Sequence, residues 1–182
     1  MGGERHSPVA RRPSDTGPVI RHVRPGDGAA IAAFYAALSP DSRRSRFFGA
    51  CRGLSEVQAQ RLARARSRGG DGLLAIGAGG EVLGHLCLEP LPDRHTEQVE
   101  EIAVAVADKQ CQRGIGRALL DAAIRSARRR GVIALEATML TGNAPIHALL
   151  EHTGLIWHGR ALEPGREAIR IELGDAGLRR SV

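Results

Sequence analysis

The segment from Glu100 to Leu120 constrains the fold of this chain most strongly, because its pattern changes from strand to helix within a few residues. The apolar-rich run 98–106 predicts a β-strand, and the sequence after the following polar loop predicts a long amphipathic helix over 114–130. The buried face of this helix is formed by Leu119, Leu120, Ala123, Ile124 and Ala127. A strand followed by such a helix predicts a sheet with helices packed against it.

The loop between this strand and this helix has the features of a phosphate site. Gly114 and Gly116 lie at the predicted start of the helix, where the absence of a Cβ lets a phosphate approach the backbone closely. Free N–H groups and the helix dipole favour an anion at the same place. Arg113 and Arg117 flank the loop and can add charge-assisted hydrogen bonds. The loop therefore predicts a cradle for a pyrophosphate.

Two common phosphate-binding motifs do not account for this loop. A P-loop ends in Gly-Lys followed by Ser or Thr, and the chain has no such motif. A dinucleotide-binding fingerprint requires a third glycine at the position of Leu119. The run Cys111-Gln112-Arg113-Gly114-Ile115-Gly116 instead resembles the CoA-binding pattern of the GNAT acetyltransferase superfamily, Gln/Arg-x-x-Gly-x-Gly/Ala. It matches at both glycines and departs from the pattern at Cys111.

A second segment carries the same resemblance. Asn143 begins the next predicted helix and Gly154 ends it, as in GNAT proteins, although Leu155 replaces the usual aromatic residue. The similarity extends over about 19–173 and is strongest over 98–155. It implies an α/β (α+β) GNAT fold, with a mixed, mostly antiparallel sheet and helices on both faces. It also implies a splayed strand pair that admits the CoA arm.

The resemblance further implies an acetyl-CoA-dependent N-acetyltransferase, with acetyl-CoA as co-substrate and an amine as acceptor. The backbone of the strand that ends near Val106 is expected to bind the pantetheine arm, and the Val104 N–H is expected to stabilise an oxyanion. The implied cofactor-binding residues are Val104, Val106, Cys111, Gln112, Arg113, Gly114, Ile115, Gly116, Arg117 and Asn143.

A finer similarity suggests the acceptor. The segment Leu38-Ser-Pro-Asp-Ser-Arg-Arg-Ser-Arg-Phe-Phe48 resembles part of the bacterial protein lysine acetyltransferases, in which a glutamate on the strand before the CoA loop is the general base. Glu101 aligns with that glutamate, and a lysine amine with a pKa of ~10.4 needs such a base at neutral pH. Three alternatives stay open: an outward-facing Glu101 with no catalytic role, a small-molecule amine as acceptor, and an acyl-CoA-binding module without turnover.

The general acid is not assigned by the sequence. Many GNAT enzymes carry a tyrosine at the position of Leu150, whereas Tyr35, the only tyrosine of this chain, is far away in sequence. A thiolate is a tolerable leaving group, so an acid is not strictly required. Cys111, His147 and His152 are alternatives, and both histidines are expected on solvated helix faces.

The 182 residues predict one domain over 18–174, with tails at 1–17 and 175–182. The predicted order of elements is βααβββαβαββ, with the stretch 41–53 as a connector and a helix capped by Ser55 that ends near Ser67. Other predicted strands run over 19–23, 72–78, 81–89, 132–139, 155–162 and 167–173.

Composition limits partners and location. The net charge of +6 comes mostly from arginine, but the 3% aromatic content and the lack of a DNA-reading motif argue against nucleic-acid binding by Arg43, Arg44, Arg46 or the run 128–130. Three widely spaced cysteines predict free thiols in the cytoplasm and no metal site. No apolar run approaches ~18 residues, so no membrane span is expected. We expect a monomer or a homodimer.

Overall fold

A computed structural model of the chain describes residues 17–49, 52–91 and 98–174. The strands are β1 (Val19–His22), β2 (Asp71–Ile76), β3 (Val82–Pro90), β4 (Val99–Val106), β5 (Ala134–Leu140), β6 (Trp157–Glu163) and β7 (Arg166–Glu172). The helices are α1 (Gly28–Ala37), α2 (Pro40–Phe47), α3 (Glu56–Ala63), α4 (Ile115–Arg129) and α5 (Ala144–Glu151). Short 3₁₀ helices cover Pro25–Asp27, Ala65–Arg68 and Asp108–Gln110. Apart from Gly17, the predicted tails lie outside the described residues.

The seven strands form one sheet in the order β1-β2-β3-β4-β5-β7-β6. All neighbouring strands pair antiparallel except β4 and β5, which are parallel and are connected through α4. These two strands pair only from Val99↔Ala134 to Glu101↔Glu136 and then separate. The predictions of a mixed, mostly antiparallel sheet and of a splayed strand pair are confirmed.

Helices cover both faces of the sheet, because successive side chains of a strand point to opposite faces. Leu86 and Leu88 of β3 and Ile102 of β4 contribute to a core shared with α4 and α5. Cys87 lies between the two leucines in sequence and faces the opposite core, which α1 and α3 cover. All five residues predicted for the inner face of α4 are buried, as the 3.6-residue spacing indicated.

The first helix and the start of the third helix also match their predictions, although the third helix ends at Ala63, before the predicted end near Ser67. Ile31, Phe34, Tyr35 and Leu38 are all buried, so their spacing gave the correct face of α1. At the start of α3, the Ser55 side chain accepts a hydrogen bond from the Gln58 N–H, and the Gln58 side chain accepts one from the Ser55 N–H. This reciprocal arrangement is a capping box.

The prediction of a connector over 41–53 was wrong, because most of this stretch forms α2. Ser39 caps this helix, its Oγ accepting from the Ser42 N–H at 3.2 Å. Pro40 occupies the first helical position, where its missing N–H costs nothing. Phe48 ends the helix in a left-handed conformation with φ of 59°. The helix has no buried residue, so it lacks the apolar stripe on which the prediction depended.

A buried polar network connects β1, β2, β4 and the end of α4. Asp71 accepts a hydrogen bond from Ser126, contacts the His22 ring at 2.9 Å, and forms a salt bridge with Arg130 at 3.3 Å. Arg130 also pairs with the buried Glu100. These charges are removed from water but are paired, which is the condition for burying them.

Some arginines of the two groups considered for nucleic-acid binding are bound to other parts of the protein. Arg43 donates to the carbonyl oxygens of Ala36 and Leu38 at the end of α1. Arg128 donates twice to the Leu173 carbonyl oxygen, and Arg130 pairs with Asp71 and Glu100. None of the described helices combines the length and the apolar composition needed to cross a bilayer.

Candidate active site

The separation of β4 from β5 leaves backbone groups of β4 without a strand partner. The peptide groups of a strand point alternately to its two sides. The Ala107 N–H donates to the Leu83 carbonyl oxygen on the β3 side, whereas the Gln98 carbonyl oxygen accepts from the Ile133 N–H on the β5 side. Even-numbered residues of β4 therefore direct their N–H and C=O groups toward β5. Val104 and Val106 lie where β5 has moved away, so their peptide groups face the gap.

The glycine-containing loop follows β4 directly and leads into the N-terminus of α4. Gly114 is the N-cap residue and has a φ of 79°, a conformation that favours glycine. Gln112 is also left-handed, with a φ of 62°, and Ile115 is the buried first residue of the helix. A Cβ on Gly116 would lie 3.7 Å from both Val106 and Leu149. Gly116 thus borders the space between β4 and α5.

The remaining predicted cofactor residues differ in their surroundings. Arg113 and Arg117 are exposed beside the loop, and Arg117 lies 3.9 Å from Asp121 in a weak pair. The exposed Cys111 thiol contacts the Ala107 carbonyl oxygen at 3.7 Å. Asn143 caps α5, its side-chain oxygen accepting from the backbone of the third helical residue at 3.4 Å. The side chains of this set are therefore arranged around the N-termini of α4 and α5.

A cleft of about 160 Å³ lies on the α1–α3 face of the sheet, beside the point of strand separation. Its walls come from α2, α3, β3 and β4, and its lining residues are Arg46, Leu62, Cys87, Glu89, Glu101 and Ala103. Glu89, Glu101 and Glu136 are neighbours across β3, β4 and β5. Three carboxylates therefore lie in one row across the sheet.

Glu101 differs from its two neighbours in having no ionic partner. Arg61 donates to Glu89 at 3.0 Å, and Arg170 donates to Glu136 at 2.9 Å. The exposed Glu101 carboxylate makes no hydrogen bond or salt bridge to any described residue. It is thus an unpaired carboxylate that faces the cleft.

The other wall of the cleft contains a half-buried arginine, Arg46, whose Nε atom is buried. The Arg46 guanidinium lies over the rings of Tyr35 and Phe47, at 5.9 and 5.1 Å from their centroids, and donates to the Cys87 sulfur at 3.5 Å. The Tyr35 hydroxyl is hydrogen-bonded to the His85 ring at 2.9 Å. Sequence reasoning missed this role of Arg46, because α2 was not predicted as a helix.

The alternative general acids occupy different environments. Leu150 is buried in the core, so this position supplies no acid. His147 was expected on a solvated face but is half-buried, since its ring contacts Trp157 at 5.5 Å and Glu167 at 3.2 Å. His152 is exposed as expected. Tyr35, remote in sequence, reaches the region behind the cleft through its contact with Arg46.

Residues 32–155 match the family described as the acetyltransferase (GNAT) family. This chain belongs to the GNAT family. The GNAT domain of S. lividans PAT has a TM-score of 0.75 and 24% identity, covering 85% of this chain and 90% of that one. A GNAT-superfamily phosphinothricin acetyltransferase from Sinorhizobium meliloti, solved with AcCoA, has a TM-score of 0.73 and 17% identity, covering 92% and 94%. The ribosomal-protein-alanine N-acetyltransferase from Brucella melitensis has a TM-score of 0.68 and 26% identity, covering 84% and 97%.

No curated protein matches this GNAT sequence. Membership of the family makes the protein an N-acetyltransferase with acetyl-CoA as co-substrate. The residues present fit this co-substrate, because the gap beside Val104 and Val106 offers peptide groups to an amide-rich arm. Gly114 and Gly116 keep the N-terminus of the 15-residue α4 accessible to phosphate.

Proposed function

We propose that this GNAT protein acetylates the side-chain amine of a lysine in a protein, with Glu101 as the general base. The observation that carries the proposal is the unpaired Glu101 carboxylate, which lines the cleft at the last paired position of β4 and β5. The amine would enter from the cleft and the co-substrate from the gap between the strands. Acetyl-CoA supplies an acetyl thioester that is activated toward attack by a neutral amine.

The cofactor-binding residues are proposed to act in two groups. The peptide groups of Val104 and Val106 bind the amides of the pantetheine arm, and the Val104 N–H also stabilises negative charge on the thioester oxygen. The loop residues bind the pyrophosphate through backbone N–H groups and the two arginines; they are Cys111, Gln112, Arg113, Gly114, Ile115, Gly116 and Arg117. Asn143 contributes by fixing the start of α5 beside this loop.

The base is proposed to be Glu101 rather than either neighbouring carboxylate. A lysine ammonium with a pKa of ~10.4 must lose its proton before the nitrogen can attack. Glu89 and Glu136 are each bound to an arginine, so their carboxylate oxygens are already engaged in ion pairs. Glu101 has no such partner, so its carboxylate is available to accept the proton directly or through a water.

No side-chain general acid is included in the proposal. Leu150 occupies the position at which many family members carry tyrosine, and Leu150 is buried in the core. A thiolate whose conjugate thiol has a pKa of ~8.5 is a good leaving group, so it can leave without prior protonation. Solvent can then supply the proton to the released thiolate.

The cleft supports an aliphatic amine as acceptor. Leu62 and Ala103 offer apolar contacts to a methylene chain, and the Glu101 carboxylate attracts an ammonium group. The segment 38–48, most of which forms α2, resembles part of the bacterial protein lysine acetyltransferases. This resemblance supports a lysine in a protein as the acceptor.

The experiment that tests the proposal is a thiol-release assay with acetyl-CoA and three acceptor classes: lysine-containing proteins, polyamines and free amino acids. We expect the proteins to be acetylated fastest, with the modified lysines identified by mass spectrometry. Acetylation confined to polyamines or amino acids would overturn the protein acceptor but leave the role of Glu101 to be tested with its own variant.

A further inference from the structure

The cleft contains two charged groups that have no partner of opposite charge among the described residues. Arg61 pairs with Glu89, whereas neither Glu101 nor Arg46 forms a salt bridge with a described residue. Within the described part of the chain, no carboxylate lies within salt-bridge distance of Arg46. Both groups line the same cleft of about 160 Å³, so its unpaired charges are of opposite sign.

The groups that contact Arg46, or lie next to those contacts, are neutral at physiological pH. Burial raises the pKa of Tyr35 to about 12 and also raises the pKa of the Cys87 thiol. Burial lowers the pKa of His85 to about 3, so that ring stays uncharged. None of these groups supplies the anion that a guanidinium removed from water normally requires.

The hydrogen-bonding capacity of Arg46 is also incompletely used. Its Nε is buried without a hydrogen-bond partner, and one Nη donates only to the Cys87 sulfur, a weak acceptor. The rings of Tyr35 and Phe47 stabilise the cation through its face. Because Arg46 lines the cleft, its remaining Nη–H groups can meet a planar acceptor there such as a carboxylate, which a guanidinium binds by two parallel hydrogen bonds.

We propose that Arg46 binds a carboxylate of the acceptor while Glu101 faces its amine, so that the preferred acceptor carries both groups. The identity of the reacting amine rests on the function proposed above. The carboxylate has two sources: the α-carboxylate of a free amino acid, or an acidic side chain next to the target lysine in a protein. Arg46 is then a specificity-determining residue of the cleft rather than a catalytic one.

The test uses acceptor pairs that differ only in the carboxylate. One pair is free lysine and cadaverine, its decarboxylated form. The other is a blocked peptide with glutamate beside its single lysine and the same peptide with glutamine. Initial rates are measured for the parent protein, for Arg46→Gln and Arg46→Lys, and for Arg44→Gln, which changes an exposed arginine on the same helix.

We expect the parent to prefer the carboxylate-bearing member of at least one pair by about 10–100-fold in kcat/KM, as for a charge-assisted hydrogen bond. Arg46→Gln should remove this preference, Arg46→Lys should retain part of it, and Arg44→Gln should leave it unchanged. The pair that shows the preference identifies the source. Lack of preference in both pairs, or equal losses for both members in Arg46→Gln, would overturn the proposal.

Calorimetric titration of the same acceptors in the presence of CoA gives a readout that does not depend on turnover. A carboxylate-dependent affinity that disappears in Arg46→Gln supports the anion site, even if none of the acceptors is acetylated. A lack of acetylation of every acceptor would instead defeat the proposed function. Equal affinities of the parent for both members of each pair would reject the site. Thermal unfolding of each variant identifies any loss of folding, and Arg46→Lys serves where Arg46→Gln does not fold.

Discussion

Glu101 on β4 and Glu136 on β5 are the last residues that pair across the two parallel strands before the strands separate. Arg170 binds Glu136, whereas no described residue binds Glu101. The sheet register therefore holds a free carboxylate next to the gap in which the peptide groups of Val104 and Val106 are exposed. A proton acceptor and a site for an amide-rich co-substrate are brought together by the sheet itself.

Replacement of this carboxylate should affect turnover and not cofactor affinity. Glu101→Gln keeps the shape of the side chain but removes its basicity, so kcat should fall by about 10²–10⁴-fold at pH 7. The deficit should shrink as the pH approaches the acceptor pKa of ~10.4, where free amine is abundant. Stopped-time assays over pH 6–10, with calorimetry of CoA binding, measure both effects. The exposed Glu151→Gln is the matched control, and near-normal turnover of Glu101→Gln at pH 7 would reject the base.

Substitution at Gly116 should lower the affinity for the cofactor, which substitution of Glu101 should leave unchanged. The added Cβ would make ordinary contacts at 3.7 Å with Val106 and Leu149, so the fold should tolerate it. The branched side chain of Gly116→Val would occupy the space between β4 and α5 and separate a phosphate from the backbone. We expect CoA affinity to fall by at least about 10-fold with little change in unfolding temperature. Gly26→Val, at a glycine with open space around it, is the control; unchanged CoA binding in Gly116→Val would remove the pyrophosphate site from this loop.

The buried network at Asp71 predicts a pH-dependent contribution to stability. Burial opposes ionisation of Asp71, but hydrogen bonds from Ser126, His22 and the Gly72 N–H outweigh it and lower its pKa. The stabilisation is therefore complete above the unfolded pKa of ~3.9 and is lost as the pH falls through the lower folded value. Asp71→Asn leaves Arg130 with one fewer anion and should cost about 3 kcal/mol at pH 7.

Urea unfolding at several pH values measures this difference, with the exposed Asp121→Asn as control. The difference in the free energy of unfolding between the parent and Asp71→Asn should be constant from pH 5 to 7 and should become smaller below about pH 4. A difference in unfolding free energy that increases on acidification would contradict a lowered pKa for Asp71.

The parts of the fold that depend on apolar spacing were predictable from the sequence. The buried faces of α1 and α4 follow the 3.6-residue period. Helix α2 was not predictable in this way, because its sequence is mostly polar and its N-terminus is held by hydrogen bonds to a residue far along the chain. Asp108, the main partner of its N-terminus, lies 66–69 positions further along the chain.

The candidate site was predictable only in part for a related reason. Glu101 could be assigned by resemblance, but its relation to Glu89 and Glu136 depends on the registers of β3, β4 and β5. Those registers are not encoded in any local pattern of residues. Arg46 enters the cleft only because α2 is helical, so its place could not be inferred before that helix was known.

The attachment of α2 to the cofactor loop gives a last prediction. Asp108 accepts hydrogen bonds from the Ser39 N–H at 2.9 Å, the Ser39 hydroxyl at 2.8 Å and the Ser42 hydroxyl at 2.6 Å. The hydroxyl of Ser42 is the largest cause of the lowered pKa of Asp108, so this carboxylate is ionised at neutral pH. It sits at the N-terminus of the helix that carries Arg46, where a negative charge is favourable.

Asp108→Ala removes all three hydrogen bonds and should destabilise α2 by about 1–2 kcal/mol, as for loss of a helix cap. Amide exchange in 40–47 should therefore accelerate by about 5–30-fold if the helix opens locally. Because α2 positions Arg46 in the cleft, the KM for the acceptor should rise more than the Kd for CoA. Hydrogen-exchange mass spectrometry and steady-state kinetics measure these effects, and Asp121→Ala controls for loss of a carboxylate elsewhere. Unchanged exchange in α2 would show that other contacts, such as those of Arg43 with the end of α1, suffice to hold the helix.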